Sequence, residues 1–329
     1  MSSLPPLKRR SVEPHSGSAP PATASSIAEA LEFARRAGHE LLTAHGGDYR
    51  FDLWFRGQGN AAYGLVPSAF RTPGGAGAPA DEGGILATYQ QRAASDDTLA
   101  AMFDLQHYGG RTRLLDWSDG LLTALFFATT PWPQSRNENE DDKDARGAPL
   151  DGAIFVLDPR ALNADSTQHG RNVLMRNSHA SAEFKARTDM ALASSLADWQ
   201  RLFGGDANAG HYTKPIAIFP PSTNVRLISQ KGMFTLHGGK IPAENGLPAP
   251  ADINAHFYRK LIIPSAAKRR IRNELKILGF DWGVVFPDNS GIVASIVHDY
   301  GNDDLGAGDD DDDDDGDDNT EKDDAAAAV

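Results

Sequence analysis

Residues 105–128 read LQHYGGRTRLLDWSDGLLTALFFA, and the stretch changes character near its middle. Its first half concentrates polar and ionisable side chains, whereas residues 121–128 are apolar on nearly every side. An all-round apolar segment is typical of a buried helix, and Ser118 or Asp119 is expected to cap its first turn. The polar half therefore lies directly before a buried element, which makes it a candidate site.

Outward from this stretch, short apolar runs alternate with helical patterns of uneven length. They lack the regular βαβ rhythm of a parallel sheet, so the sequence favours an α+β fold, in which helices flank a small mixed or antiparallel sheet. We expect one globular unit over residues 26–300. The predicted strands are 51–56, 153–157, 216–219, 233–236 and 261–263. The predicted helices begin near Ser26 and then cover 85–92, 98–106, 121–128, 181–203 and 265–278, with loops at 72–84 and 131–150.

The chain of 329 residues has a net charge of -13, and the position of that charge decides what it means. Residues 301–329 hold 14 acidic side chains and one lysine, whereas the other 300 residues hold 31 acidic and 31 basic ones. We therefore expect a neutral globular body with disordered tails at 1–25 and 301–329. The acidic tail suits a basic protein partner, and the neutral body argues against a basic nucleic-acid-binding domain.

Several classes of site are excluded by missing residue types or motifs. The chain has no cysteine, which excludes a disulfide scaffold, a cysteine-ligated metal and a cysteine nucleophile. The ten histidines show no ligand spacing, and we expect no metal. Residues 57–62 imitate a dinucleotide fingerprint, but residues 63–67 (YGLVP) follow where that fingerprint needs a helix. Without an apolar run of 18 residues or a signal-peptide core, we expect a cytoplasmic protein with no membrane span.

A second concentration of polar and aromatic groups lies at residues 54–58 (WFRGQ) and continues at 67–71 (PSAFR). An arginine at a strand end, followed by glycine, is placed to project over a cleft. Together with residues 105–128, these segments resemble the FRG domain, a family named for the Phe-Arg-Gly motif that occurs here at residues 55–57.

The resemblance extends over about residues 48–160, with a weaker match at 215–298. Three positions depart from the family, because Gly110-Arg111 replaces its usual Leu-Pro and Leu121 replaces a usual Pro. Members often accompany bacterial defence or toxin systems, and their arrangement looks like that of ADP-ribosyltransferases. The resemblance implies an enzyme that cleaves the nicotinamide bond of NAD and transfers ADP-ribose to an undetermined acceptor. The alternative is a non-catalytic module that binds a nucleotide or a peptide.

Cleavage of NAD needs a cation at the pyrophosphate, an aromatic surface at the nicotinamide, and a carboxylate or similar group near the developing oxocarbenium ion. The resemblance places Gln230 where many transferases have a late glutamate. A glutamine orients a group but does not act as a base, which leaves Asp116 as the carboxylate in a matched motif. The predicted cofactor-binding residues are Phe55, Arg56, Gln58, Gln106, Tyr108, Arg113 and Arg226. The predicted catalytic residues are His107, Asp116 and Gln230.

Structural interpretations compete with several of these assignments. Arg113 and Asp116 are spaced to form a local, buried ion pair that would pin the turn between them. Gln106 and His107 are also suited to satisfying buried backbone groups. In a third interpretation all of these residues are scaffold, and none of them contacts a ligand.

Overall fold

The computed structural model describes most of the chain between residues 21 and 296. The predicted tail at 301–329, most of the tail at 1–25 and most of the predicted loops at 72–84 and 131–150 lie outside the described residues. The second half of the helix predicted over 181–203 also lies outside them. The described ranges are 21–45, 53–71, 82–130, 148–167, 170–175, 181–192, 211–220, 225–239, 252–289, 291–293 and 295–296.

A seven-stranded sheet lies at the centre of the described residues. Its order is β4-β5-β6-β2-β1-β3-β7, and every neighbouring pair is antiparallel except β4 and β5. The strands are β1 (Trp54–Gln58), β2 (Leu114–Ser118), β3 (Gly152–Leu157), β4 (Leu174–Met175), β5 (Ile216–Phe219), β6 (Gly232–Leu236) and β7 (Tyr258–Ile263). The structure confirms the predicted α+β fold, in which helices flank a mixed sheet.

Helices pack on both faces of this sheet. They are α1 (Ile27–Ala44), α2 (Glu82–Ala93), α3 (Thr98–His107), α4 (Leu121–Thr129), α5 (Pro159–Ser166), α6 (Ser181–Leu192), α7 (Val225–Ser229), α8 (Ser265–Ile277) and α9 (Trp282–Val285). The loop predicted at 72–84 extends too far, because α2 already begins at Glu82. Within the described ranges no helix is both long and apolar enough to cross a membrane.

Local side chains hydrogen-bond to the backbone near the N-termini of α1 and α4. Ser26 Oγ accepts a hydrogen bond from the Glu29 amide at 3.2 Å, as expected for a cap of α1. The predicted cap of α4 is wrong, since Gly120 precedes that helix and no side chain caps it. Ser118 Oγ instead accepts from the Gly120 amide at 3.0 Å, which satisfies the backbone one step before the helix.

Alternation along the strands divides the sheet into two buried faces. On one face, α1, α4 and α8 cover side chains such as Ile154 and Leu261, whereas α2, α3 and α6 cover others such as Phe234. The opposite face carries Trp54 and Phe155 and packs against α5. Because both faces are covered, a ligand can reach the sheet only where neighbouring elements lie apart.

Helix α4 packs directly against the backbone of β1 at Gly57. A Cβ atom at this position would collide with the carbonyl oxygen of Ala124 and lie 2.8 Å from the amide nitrogen of Ala128. Gly152, at the start of β3, meets the carbonyl oxygen of Ala128 in the same way. A residue without a side chain is required for this approach, so the glycine of the Phe-Arg-Gly motif fixes α4 on the sheet.

Replacing Gly57 by alanine is expected to lower the free energy of unfolding by about 3 kcal/mol, because the added methyl group must displace the α4 backbone. Gly64→Ala is the matched control, since a Cβ atom there meets Val66 Cγ2 at an ordinary 3.6 Å. The control is expected to change the free energy of unfolding by less than about 0.5 kcal/mol. Urea unfolding measures both, and equal effects would contradict this packing.

Candidate functional site

Strands β1 and β2 separate beside the Phe-Arg-Gly motif. They pair only at Phe55 and Ser118, whereas β1 pairs with β3 along its whole length. Beyond that pair, Arg56 reaches across to β2 and donates from Nη1 to the carbonyl oxygen of Asp116 at 2.7 Å. The Asp116 carboxylate lies nearby, with Oδ2 3.7 Å from the same nitrogen. Arg56 therefore bridges the opening between the two strands.

Arg56 is mostly buried and keeps unused hydrogen-bonding capacity. Burial lowers the pKa of its guanidinium to about 10, although the negative charge of Asp116 raises that pKa. The side chain thus remains positively charged at neutral pH. Its Nε–H is buried and has no hydrogen-bond partner in the described part of the chain. Such an unpaired donor costs about 1–3 kcal/mol.

A cavity of about 1030 Å³ opens beside Arg56. It combines an aromatic lining with a small group of polar and charged side chains, which is the usual composition of a small-molecule site. Seven of the ten predicted site residues line it, namely Phe55, Arg56, Gln106, His107, Tyr108, Asp116 and Gln230. Its other aromatic lining residues include Phe103, Trp117, Phe127, Phe234, Trp282 and Phe286.

Gln106 holds the Asp116 carboxylate through a directional chain of hydrogen bonds. The Leu114 amide donates to Thr112 Oγ1 at 3.2 Å, so the Thr112 hydroxyl is left to donate to Gln106 Oε1. The side-chain nitrogen of Gln106 then donates to Asp116 Oδ2 at 2.8 Å. Because a backbone N–H can only donate, the chain runs in one direction and sets the orientation of the Gln106 amide. Meanwhile 54% of the Asp116 side chain remains exposed.

The structure corrects the prediction that Arg113 pairs with Asp116, and Arg113 is not among the residues that line the cavity. Only 1% of the Arg113 side chain is exposed, and it forms a salt bridge of 2.8 Å with Glu82 at the start of α2. It also donates to the carbonyl oxygens of Arg187 and His237, at 3.2 and 3.3 Å. A turn would suit this spacing, but Arg113 directly precedes the extended strand β2, and residues three apart along an extended chain point to opposite faces.

Glu82→Gln is expected to lower the free energy of unfolding by about 3 kcal/mol, because it leaves the buried charge of Arg113 without its carboxylate partner. Asp116→Asn removes a half-exposed carboxylate and is the matched control, with an expected loss below about 1 kcal/mol. Chemical denaturation of the two variants distinguishes the pairings. A loss in Asp116→Asn as large as that in Glu82→Gln would contradict the difference between the two carboxylates and support the pairing of Arg113 with Asp116.

The remaining predicted residues differ in their positions. Gln58 is buried but does not line the cavity, and its amide donates to a carbonyl oxygen in the following loop at 3.2 Å. Arg226 lies in α7, and its side chain is outside the described part of the structure. Gln230 lies between α7 and β6, where its side-chain nitrogen donates to the carbonyl oxygen of Val285 at 3.2 Å. Its own carbonyl oxygen accepts from Ser118 Oγ at 2.7 Å, which ties the end of β2 to this segment.

Sequence reasoning missed one wall of the cavity. Trp282, Phe286 and Asp288 come from α9 and the residues after it, and all three line the cavity. The rings of Trp282 and Phe286 stack with centroids 5.2 Å apart, and Trp282 meets Phe126 of α4 edge-on at 5.1 Å. The weak resemblance over 215–298 includes this segment and was the available signal for it.

A buried hydrogen-bond chain supports the cavity from the opposite face of the sheet. Trp117 donates from Nε1 to Thr235 Oγ1 at 3.1 Å, and the Thr235 hydroxyl pairs with His237 Nε2 at 3.0 Å. Burial lowers the pKa of His237 to about 3, and the positive charges of three nearby arginines act in the same direction. His237 is therefore neutral near pH 7 and accepts the hydroxyl hydrogen, which keeps Trp117 in place.

The buried state of His237 predicts a loss of stability in mild acid. An unfolded histidine has a pKa of about 6.5, whereas the folded value is about 3. Between these values the unfolded chain binds a proton that the folded chain does not, so stability falls as the pH falls from 6.5, by about 1.4 kcal/mol per pH unit. His237→Gln is expected to remove this contribution, and unfolding measured between pH 7 and 5 gives the slope.

The exposed His256 provides the matched control for that measurement. His256→Gln is expected to leave the slope of the wild-type chain unchanged, because His256 is exposed and lies outside this hydrogen-bond chain. If His237→Gln and the wild type lose stability in parallel, His237 is not the titrating group.

Comparison with known proteins identifies part of the chain. The FRG domain family matches residues 52–138, about a quarter of the 329 residues. The chain therefore contains an FRG domain, whose matched range lies inside the predicted 48–160. This segment includes β1, β2 and α4 and supplies most of the cavity lining found among the described residues. No curated protein and no solved structure matches the chain.

Proposed function

We propose that the protein binds NAD in the cavity beside Arg56 and transfers its ADP-ribose to an acceptor. The strongest support is that three separated segments converge on one cavity, namely the Phe-Arg-Gly motif, residues 106–116 and Gln230. The resemblance to the FRG domain implied NAD chemistry for these same segments. Their convergence is what a shared ligand site requires.

The size and lining of the cavity suit a dinucleotide. Its volume of about 1030 Å³ lies at the upper limit of ordinary small-molecule sites, which span about 300–1,000 Å³. Phe55, Phe234 and Trp282 offer aromatic surfaces to planar rings. Tyr108 is 79% exposed, so its ring is available for stacking.

Arg56 and Asp116 supply opposite charges to the same cavity. The guanidinium of Arg56, which lines the cavity, suits a phosphate or ribose oxygen. The carboxylate of Asp116, held by Gln106, suits the positive charge that NAD carries on its nicotinamide ring and that spreads onto the ribose as the bond between them breaks. The two groups together favour a ligand with both an anionic and a cationic part.

The proposed transfer divides its chemical roles among the lining residues. The bond between the nicotinamide nitrogen and the ribose carbon breaks, and an acceptor nucleophile forms the new bond to that carbon. Asp116 stabilises the positive charge between these events, and His107 takes the proton that the acceptor loses. Gln230 orients the ligand, because an amide does not act as a base.

Incubation of the full chain with NAD labelled in the nicotinamide ring tests this function. Wild-type protein is expected to release nicotinamide, and Arg56→Ala to reduce the rate by at least about tenfold, since a charge-assisted hydrogen bond to the ligand is lost. Asp116→Asn is expected to bind NAD and release no nicotinamide. Arg35→Ala is the matched control, because Arg35 pairs with Glu32 on the exposed surface of α1.

Folding of each variant is followed through its melting temperature, and Arg56→Lys replaces Arg56→Ala if the latter does not fold. NAD binding without release by the wild type would replace the transferase with a non-catalytic binding module. A wild-type chain that does not bind NAD at all would contradict the transferase and an NAD-binding module alike.

A further inference from the structure

The loop after β1 is fastened to the residues that precede β2. The Ala69 amide donates to the carbonyl oxygen of Thr112 at 3.0 Å, and the Thr112 amide donates to Ser68 Oγ at 3.1 Å. Thr112 is also the residue that orients Gln106 toward the Asp116 carboxylate. This fastening places Arg71 and Arg111 beside each other and close to the site.

Both arginines are held by main-chain carbonyl oxygens, which fix a guanidinium without neutralising it. Arg111 donates from Nε to the carbonyl oxygen of Ser68 at 3.0 Å, and from Nη2 to that of Arg71. Arg71 donates from Nε to the carbonyl oxygen of Val66 at 2.8 Å. A guanidinium has five N–H donors, and within the described ranges those on the terminal nitrogens of Arg71 have no hydrogen-bond partner, so they can serve a ligand.

Arg71 lies close enough to Arg56 and to Arg111 to interact with the charge of each. Partial burial lowers the pKa of Arg71, and the charge of Arg111 acts in the same direction, whereas Asp116 raises that pKa. Besides burial, the charge of Arg71 lowers the pKa of Arg56. Arg56 and Arg71 therefore share the carboxylate of Asp116, and Arg111 adds a third positive charge beside Arg71. Repulsion among them is relieved by an anion that contacts more than one of them.

We propose that Arg71 and Arg111 form a pyrophosphate subsite that extends the cavity beyond Arg56. The inference rests on the proposed binding of a dinucleotide and adds the position of its phosphates. A bridging pyrophosphate carries one negative charge on each phosphate, and its oxygens match the open donors of two fixed guanidiniums. Neither arginine was among the residues predicted for the site, although Arg71 ends the matched segment PSAFR.

Isothermal titration calorimetry of the full chain with ADP-ribose tests the subsite. Arg71→Ala is expected to weaken ADP-ribose binding by at least about tenfold, because charge-assisted hydrogen bonds to phosphate are lost. Inorganic pyrophosphate is expected to compete with ADP-ribose in the wild type and to compete less in Arg71→Ala. The matched control is Arg269→Ala, which removes an exposed arginine of α8. If Arg71→Ala lowers the melting temperature, Arg71→Gln is compared in its place.

Equal ADP-ribose affinity in Arg71→Ala and Arg269→Ala would overturn the subsite, and so would a wild-type chain that does not bind ADP-ribose. The outcome for the transferase is separate. Unchanged NAD turnover in Arg71→Ala would support the transferase and contradict the subsite. ADP-ribose binding that depends on Arg71, without any turnover of NAD, would support the subsite and contradict the transferase.

Discussion

Helix α4 rests on the backbone of β1 with no side chain between them, because Gly57 lacks the Cβ atom that would hold the two apart. The residues on either side of this contact are fixed by it. Phe55 packs into the core beneath the helices, while Arg56 spans the opening toward β2. Since α4 also carries Phe127 into the cavity, a displaced helix would move an aromatic wall and disturb the cation beside it.

The chain uses two arginines of the FRG segment in opposite ways. Arg113 has a buried carboxylate partner at 2.8 Å and further carbonyl acceptors, so its charge is compensated within the protein. Arg56 lies 3.7 Å from a half-exposed carboxylate and keeps a buried donor unpaired. A buried charge is tolerated when it is fully hydrogen-bonded, and an incompletely satisfied one favours a ligand. This difference separates the structural Arg113 from Arg56, for which we propose a ligand-binding role.

Much of the fold could be predicted from sequence because its signals are local. The all-round apolar pattern of α4 and the short apolar runs of β3 and β5 mark buried elements without knowledge of their neighbours. Strand β2 was not predicted, because residues 113–118 are buried apart from Asp116 and show no simple alternation. The partner of Arg113 could not be predicted either, since Glu82 lies 31 residues away in a segment interpreted as a loop.

The same limit applies to the candidate site, where local motifs could be recognised in the sequence but contacts between distant segments could not. Residues within the matched motifs converged on the cavity, whereas Trp282 and Phe286 reached it only through the packing of α9 against α4. Arg71 was visible in a motif, but its relation to Arg56 depends on the loop fastened at Thr112. A motif therefore indicates which residues matter, and the fold decides which of them share a site.

The cavity is built jointly by the FRG segment and by sequence that follows it. Residues 52–138 contribute Arg56 and Asp116, whereas Gln230, Trp282 and Asp288 come from the second half of the chain. The FRG segment thus forms only part of the proposed binding site, and the later part of the chain forms the rest. Chains that share this domain but differ beyond it would present the same charged groups to differently shaped walls. Ligand choice then belongs to the combination of the two segments, and exchange of the second one is a route to a new ligand.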